Sequence, residues 1–194
     1  MTGSFDAVTT GLTNKSPPWA EKVLDYWLGT VGPDRWWSAG KSLDNEITQR
    51  FEALWREQRQ RDAGDFLGTP QIALAAIILF DQFPRNMFRH SAKAFATDPL
   101  ARAIANGLVG RGWDREIDEE PRQFAYMPFM HSEDLADQDK SLMLFAPLGE
   151  DNIEYARKHR DLIARFGRFP HRNEALGRVT LPEEKEAVAE GSDW

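Results

Sequence analysis

The sequence predicts an all-α protein built as one domain, and three observations carry that prediction. Apolar residues recur at three- and four-residue spacing in segment after segment, no segment alternates apolar and polar residues long enough to make a strand, and start and stop signals cut the chain into helix-sized pieces. The chain has 194 residues, 41% of them hydrophobic, with 7 Trp and 12 Phe, which is enough apolar material for one sizeable core.

The elements follow in chain order. Residues 1–16 lack periodic apolar positions and are expected to form a flexible N-terminal segment, leaving 17–194 as a single helical domain. Ser42 is placed to cap "LDNEITQRFEALWRE", whose Leu43, Ile47, Phe51, Leu54 and Trp55 share a face. Thr69 and Pro70 are a cap and first-turn pair for "PQIALAAIILFDQ", a helix apolar nearly all round and so expected at the buried centre. Asp98-Pro99 repeats that start signal before "LARAIANGLVGRG", which runs out at glycine. "DEEPRQFAYM" opens another helix with acids in its first turn. Ser132 is expected to cap "EDLADQDKSLMLFAPL", putting Glu133 and Asp134 in the first turn with His131 just outside. "EDNIEYARKHRDLIARFG" stops at Gly167.

Composition excludes several functions. A net charge of -7 argues against binding duplex nucleic acid, which requires a basic face. No cysteine is present, so thiolate catalysis and disulfides are out, in keeping with a cytoplasmic protein. The N-terminus does not read as a secretory signal, and the longest apolar run, residues 72–80, is about half the ~18 residues of a membrane span. No Gly-rich phosphate loop, Gly-x-Ser-x-Gly elbow or His-x-x-x-His spacing occurs, so no cofactor or metal is expected. Acids dominate 114–139 and bases dominate 157–178, a complementarity best explained by the two segments facing each other or by solvated helix faces.

Two stretches stand out. "DQFPRNMFR" (81–89) and "GRFPHRN" (167–173) each run Phe, Pro, basic, then Asn within three residues. Proline ends the hydrogen-bond ladder and pushes its predecessor out of the helical region, so both are expected to be elbows after helices, with Arg85 and Arg168 beside C-terminal carbonyls. Capping does not account for Asn86, His171, Arg172 or Asn173. The expectation is that both elbows meet through "HSEDLADQ" (131–138), with Arg85 or Arg172 approaching Glu133 or Asp134 and with His131, His171, Asn86 and Asn173 around one polar patch. Guanidinium forks and amides suit a small anion or a peptide carboxylate, which favours a binding module. The alternative is a hydrolase-like enzyme using His131, Glu133 and His171 as acid/base groups or metal ligands. His159 shares a stripe with Tyr155, Leu162, Ile163 and Phe166 and reads as a hydrogen-bonded core residue, while His90 suits the surface.

"VLDYWLG", "RWW", "DQFPRNMFR", "AFATDPLA", "HSEDLADQ" and "RFGRFPHRNEALGR" occur in the order seen in the domain of unknown function 924 family, which the chain resembles over roughly residues 19–190. That resemblance implies antiparallel helix hairpins stacked as a tetratricopeptide-like superhelix, and it implies no reaction. Two positions depart from the family pattern. Met130 replaces an expected acid, and Leu181 stands where a Ser or Thr cap would precede "PEE".

Overall fold

The structure, a computed structural model, describes residues 16–37 and 40–190. Apart from Ser16, the segment expected to be flexible lies outside them. The described residues are helical, with no strand among them. Ten α-helices run α1 (Pro18–Leu24), α2 (Pro33–Trp36), α3 (Lys41–Gln58), α4 (Pro70–Ile77), α5 (Phe83–Met87), α6 (Asp98–Gly110), α7 (Glu119–Met130), α8 (Leu135–Phe145), α9 (Glu150–Phe166) and α10 (Pro182–Glu190). α6 packs on α7, α7 on α8 and α8 on α9, so the second half stacks in chain order.

α4 is the buried centre that its all-round apolar sequence predicts, with Ala73, Ala75, Ala76 and Ile77 fully enclosed. Thr69 caps it, accepting from the Ile72 N–H at 3.2 Å. Phe83 then sits among Tyr26, Trp27 and Phe51, with ring centroids 6.2, 5.5 and 4.6 Å away. Edge and tilted aromatic pairs of this kind add about 0.5–1.5 kcal/mol each beyond the area they bury.

The first Phe-Pro stretch is not an elbow. α4 continues through a π-helical segment, Ile78–Gln82, into α5, so Pro84 lies in the first turn of a helix. A proline there leaves carbonyls without their N–H partner. Side chains take over that role: the Thr97 hydroxyl donates to the Phe80 carbonyl at 2.7 Å, and the Arg85 guanidinium donates to the Asp81 carbonyl. Thr97 in turn accepts from the Trp55 indole N–H at 3.1 Å.

The second stretch is an elbow. Gly167, at φ +67°, ends α9 in the left-handed conformation that only glycine adopts without cost, and Pro170 opens a short 3-10 turn, Pro170–Arg172. Phe83 and Phe169 are both fully buried, so each plugs the junction beside its proline.

Three expected caps move. Gly40 rather than Ser42 precedes α3, and Thr97 rather than Asp98 precedes α6, its hydroxyl being turned to the Phe80 carbonyl. Asp134 rather than Ser132 caps α8, accepting from the Ala136 N–H at 2.8 Å, which leaves Glu133 in the link between helices and not in a first turn. The Ser132 hydroxyl instead donates to Asp137 and accepts from Arg102, both at 2.7 Å. It also accepts from the Asp134 N–H at 3.2 Å, so it braces the link before α8 as well as the Arg102–Asp137 pair.

Candidate functional site

The eight residues singled out in the sequence divide into two groups. The dividing feature is a cavity of about 270 Å³, whose lining includes Arg85, Arg172 and all four histidines of the chain, His90, His131, His159 and His171. These residues come from five separate places. Arg85 and His90 flank the end of α5, His131 is the C-cap of α7, His159 lies on α9, and His171 and Arg172 occupy the turn after it.

Beneath the cavity lies a residue that the sequence did not mark. Asp81, fully buried on the π-helical turn, presents its two carboxylate oxygens to His131 Nδ1 at 2.9 and 3.0 Å. Gln82 Nε2 donates to the same carboxylate, and Arg85 Nη1 stands 3.4 Å from it. Burial opposes the charge, but the Arg85 and His131 interactions outweigh it and hold the carboxyl well below the usual aspartate range. An ionised carboxylate only accepts hydrogen bonds, so Nδ1 of His131 carries the proton and Nε2 carries the lone pair. Burial, helped by Arg85, pushes His131 below its ordinary value, and the ring is neutral at pH 7.

Arg85 also grips Asp98 with two parallel bonds at 3.0 and 3.1 Å. Arg172 shares that carboxylate at 3.5 Å, donates to the His131 carbonyl at 3.0 Å, and lies over the rings of Phe95 and Phe169 at 4.7 and 4.4 Å. Only 6% of Arg172 is exposed, and its buried Nε has no hydrogen-bond partner. Burial and the neighbouring Arg85 lower Arg172 to about 10, as expected for a cation whose carboxylate is already committed elsewhere. Crowding by protein, reinforced by the same two guanidiniums, lowers His171 to about 4 even though it lies at the surface. His159 falls to about 3, chiefly through burial. It is indeed the hydrogen-bonded core histidine expected, with Nδ1 2.9 Å from the Tyr155 carbonyl, yet it also faces the cavity. His90 is exposed as expected, reaching the cavity from a left-handed backbone at φ +64°.

The other candidates have structural partners. Asn86 donates to Asp44 at 2.9 Å, beside the Arg89–Asp44 pair. Glu133 takes two bonds from Arg178, at 2.9 and 2.8 Å, and one from the Phe169 N–H at 2.9 Å, so it ties the second elbow to the α7–α8 link. Asn173 donates to Glu184 at 3.1 Å, and Glu184 also holds Arg168 and the Leu181 N–H. That last bond is the glutamate half of a capping box, made by the third residue of α10, while Leu181 has no side-chain oxygen for the other half. Asp134 is a cap. The two elbow sequences thus converge on residues 131–138 as expected, but the arginine that pairs with Glu133 is Arg178, while Arg172 reaches the His131 backbone. Arg178–Glu133 and Arg160–Asp139 also show that the acidic and basic segments do face each other. Among the described residues, no three His, Asp or Glu converge in a way that could hold a metal ion. None of their helices is long and apolar enough to cross a membrane.

Residues 23–192 match the model of a family described as a bacterial protein of unknown function, DUF924. The chain belongs to that family. A solved structure of a protein of unknown function from Agrobacterium tumefaciens is 42% identical, covers 89% of this chain and 97% of its own, and superposes with a TM-score of 0.84. No curated protein matches significantly. Family membership therefore brings a fold and no chemistry, and Asp81, Arg85 and Asn86 fall within its "DQFPRNMFR" segment, His131 within "HSEDLADQ", and His171 and Arg172 within "RFGRFPHRNEALGR".

Proposed function

We propose that this member of the family binds a small anionic molecule, a carboxylate or a phosphate, in the cavity between Arg85, Arg172 and the four histidines. The observation that carries this reading is Arg172 itself, a nearly buried guanidinium lining the cavity whose nearest carboxylate, Asp98 at 3.5 Å, is already held by two bonds from Arg85. A buried cation without a carboxylate of its own is costly, and an anion in the cavity would supply the missing charge. Phe95 and Phe169 hold the guanidinium plane from its faces, so its donating edge is fixed before any ligand arrives. The size of the cavity limits the ligand to a small metabolite or the end of a peptide. The in-order packing of α6 to α9 supports stacked hairpins of the tetratricopeptide-like kind as the scaffold.

Calorimetric titration with glutarate and with inorganic phosphate tests the proposal. Saturable binding of at least one is expected, weakened about tenfold or more by Arg172→Lys, since lysine keeps the charge but loses the planar fork. Binding should tighten as the pH falls below about 6.5, the ordinary histidine value, because the anion raises the lowered pKa values of His131 and His171 and the complex takes up protons. Failure of both anions to bind wild-type protein at millimolar concentration would overturn it.

A further inference from the structure

The geometry points to an activity as well as a ligand: we propose that the cavity hydrolyses small esters that carry a carboxylate, with Nε2 of His131 as the general base and water as the nucleophile. The inference rests on the anion-binding reading above and goes beyond it, since binding alone requires neither a fixed imidazole tautomer nor a buried carboxylate behind it.

Three features carry it. Asp81 and His131 form a carboxylate–imidazole pair at 2.9–3.0 Å, with Asp81 itself oriented by Gln82 and Arg85. With Nδ1 turned to the buried Asp81, Nε2 is the nitrogen left for the cavity that His131 lines. A neutral ring in one tautomer is what a base needs before it takes a proton. Second, no lining residue of the cavity carries a hydroxyl or a thiol, so no side chain there is placed to form an acyl intermediate of the Ser or Cys kind, and the attacking group is water. Third, the Arg172 guanidinium lines the cavity and is held in place between the Phe95 and Phe169 rings, a preorganised positive charge for the negative charge that develops on a substrate oxygen.

The step balances without any further reagent. His131 Nε2 takes a proton from water as the water oxygen bonds to the ester carbonyl carbon, and the displaced electron pair settles on the carbonyl oxygen against Arg172. Collapse of that intermediate breaks the bond to the alcohol oxygen, which receives the proton from His131. The products are an acid and an alcohol, with nothing oxidised or reduced. Arg85, bonded to Asp98 and Asp81, adds positive charge to the wall that favours a substrate carrying a free carboxylate.

The test uses mono(4-nitrophenyl) glutarate, which joins an activated ester to a free carboxylate, and follows nitrophenolate release by wild type, His131→Gln and Asp81→Asn. Wild type should exceed the buffer rate by ~10² to 10⁴, the usual reach of a positioned acid–base group, and should act more slowly on neutral 4-nitrophenyl butyrate. Its kcat/KM should be flat at neutral pH and fall on the acid side as His131 protonates. His131→Gln should drop to within a few-fold of buffer even at ester concentrations raised to offset any affinity lost with the imidazole. Asp81 is a positioning residue: the asparagine amide would donate to Nδ1 and move the proton to Nε2, so ¹⁵N spectra should show the swapped tautomer together with a loss of kcat rather than of glutarate affinity. Should Asp81→Asn not fold, His131→Gln alone decides. Glutarate binding with ester turnover no faster than buffer, or His131→Gln turnover equal to wild type, would sink the inference and leave the binding site standing. No binding of glutarate or phosphate and no turnover by wild type would remove both.

Discussion

Residues 81–87 and 167–173 align as Asp-Gln-Phe-Pro-Arg-Asn-Met against Gly-Arg-Phe-Pro-His-Arg-Asn, yet the first is helix interior and the second is a turn. The difference lies three residues before each proline. Gly167 enters the left-handed region at no steric cost and lets α9 end, so Pro170 starts afresh. Asp81 stays helical, and the chain passes Pro84 by widening one turn to π geometry and borrowing two side chains, Thr97 and Arg85, as substitute donors. Proline is therefore decisive only when no neighbour supplies what it lacks. The two stretches also hold together by different chemistry. The first is tied by neutral groups, Thr97 to Phe80 and Trp55, and by Asp81, whose carboxyl Arg85 and His131 hold at about 2 against its burial. The second is tied by Glu133, to Phe169 and Arg178, with His159 packed 5.6 Å from the Phe169 ring.

Thr97→Val should be the most damaging test of the first arrangement. It strands the Phe80 carbonyl and the Trp55 indole N–H, at about 1–3 kcal/mol each, and denaturant melts should show ~2 to 6 kcal/mol lost. A cost below ~1 kcal/mol would mean that the π turn does not depend on the borrowed hydroxyl.

Acid should separate the two stretches next. His159 is held at about 3 against an ordinary 6.5, so the unfolded chain binds a proton that the folded one refuses. Its contribution is complete above pH 6.5 and declines as the pH falls toward 3, with a slope of at most ~1.4 kcal/mol per pH unit. His159→Gln should flatten that slope. Glu133, lowered by Arg178 and the Phe169 N–H against its own burial, adds stability that is present above its ordinary value of 4.5 and is lost as the pH drops through its folded one. Hydrogen-exchange protection at Phe169 should therefore fail on acidification before protection in α4 does, and Glu133→Gln should remove part of the difference. Simultaneous loss in both places would show that the stretches do not differ as described.

Gly167→Ala should cost ~1 to 2 kcal/mol from the left-handed backbone alone, since a Cβ there meets nothing within 4 Å. Pro170→Ala should be the mildest, a few tenths of a kcal/mol, because Gly167 has already ended the helix. A larger effect from Pro170 than from Gly167 would reverse the account of the second stretch.

Local signals served well where the determinant was local. Thr69 with Pro70, the all-round apolar run of α4 and the stop at Gly167 were legible because caps, periodicity and glycine act within a turn of themselves. The sequence points to Ser132 as the cap with Asp134 inside the first turn, and the start of α8 lies two residues on, at Asp134, while Ser132 joins the distant Arg102 and the Asp137 one turn on. Asp81 was illegible for a stronger reason. In sequence it is a single acid at the end of an apolar run, and what gives it chemistry is His131, fifty residues later. The histidines repeat the point, since His90 and His159 look unremarkable until folding gathers all four around one cavity. Asn86, Asn173, Glu133 and Asp134 drew attention by being polar out of context, and the context proved to be joints between helices.

The hydroxyl that Thr97 lends to Phe80 also bears on how the chain assembles. A peptide of residues 70–87 alone would be least helical from Phe80 onward, because the donors that close its far end belong to the residue before α6 and to a guanidinium steadied by Asp98. Secondary structure there cannot run ahead of tertiary contact, so the turn that carries Asp81 closes only as the connection from α5 to α6 docks. The cavity floor would then be among the later parts of the molecule to become ordered, completed in the same event that brings the two halves of the chain together.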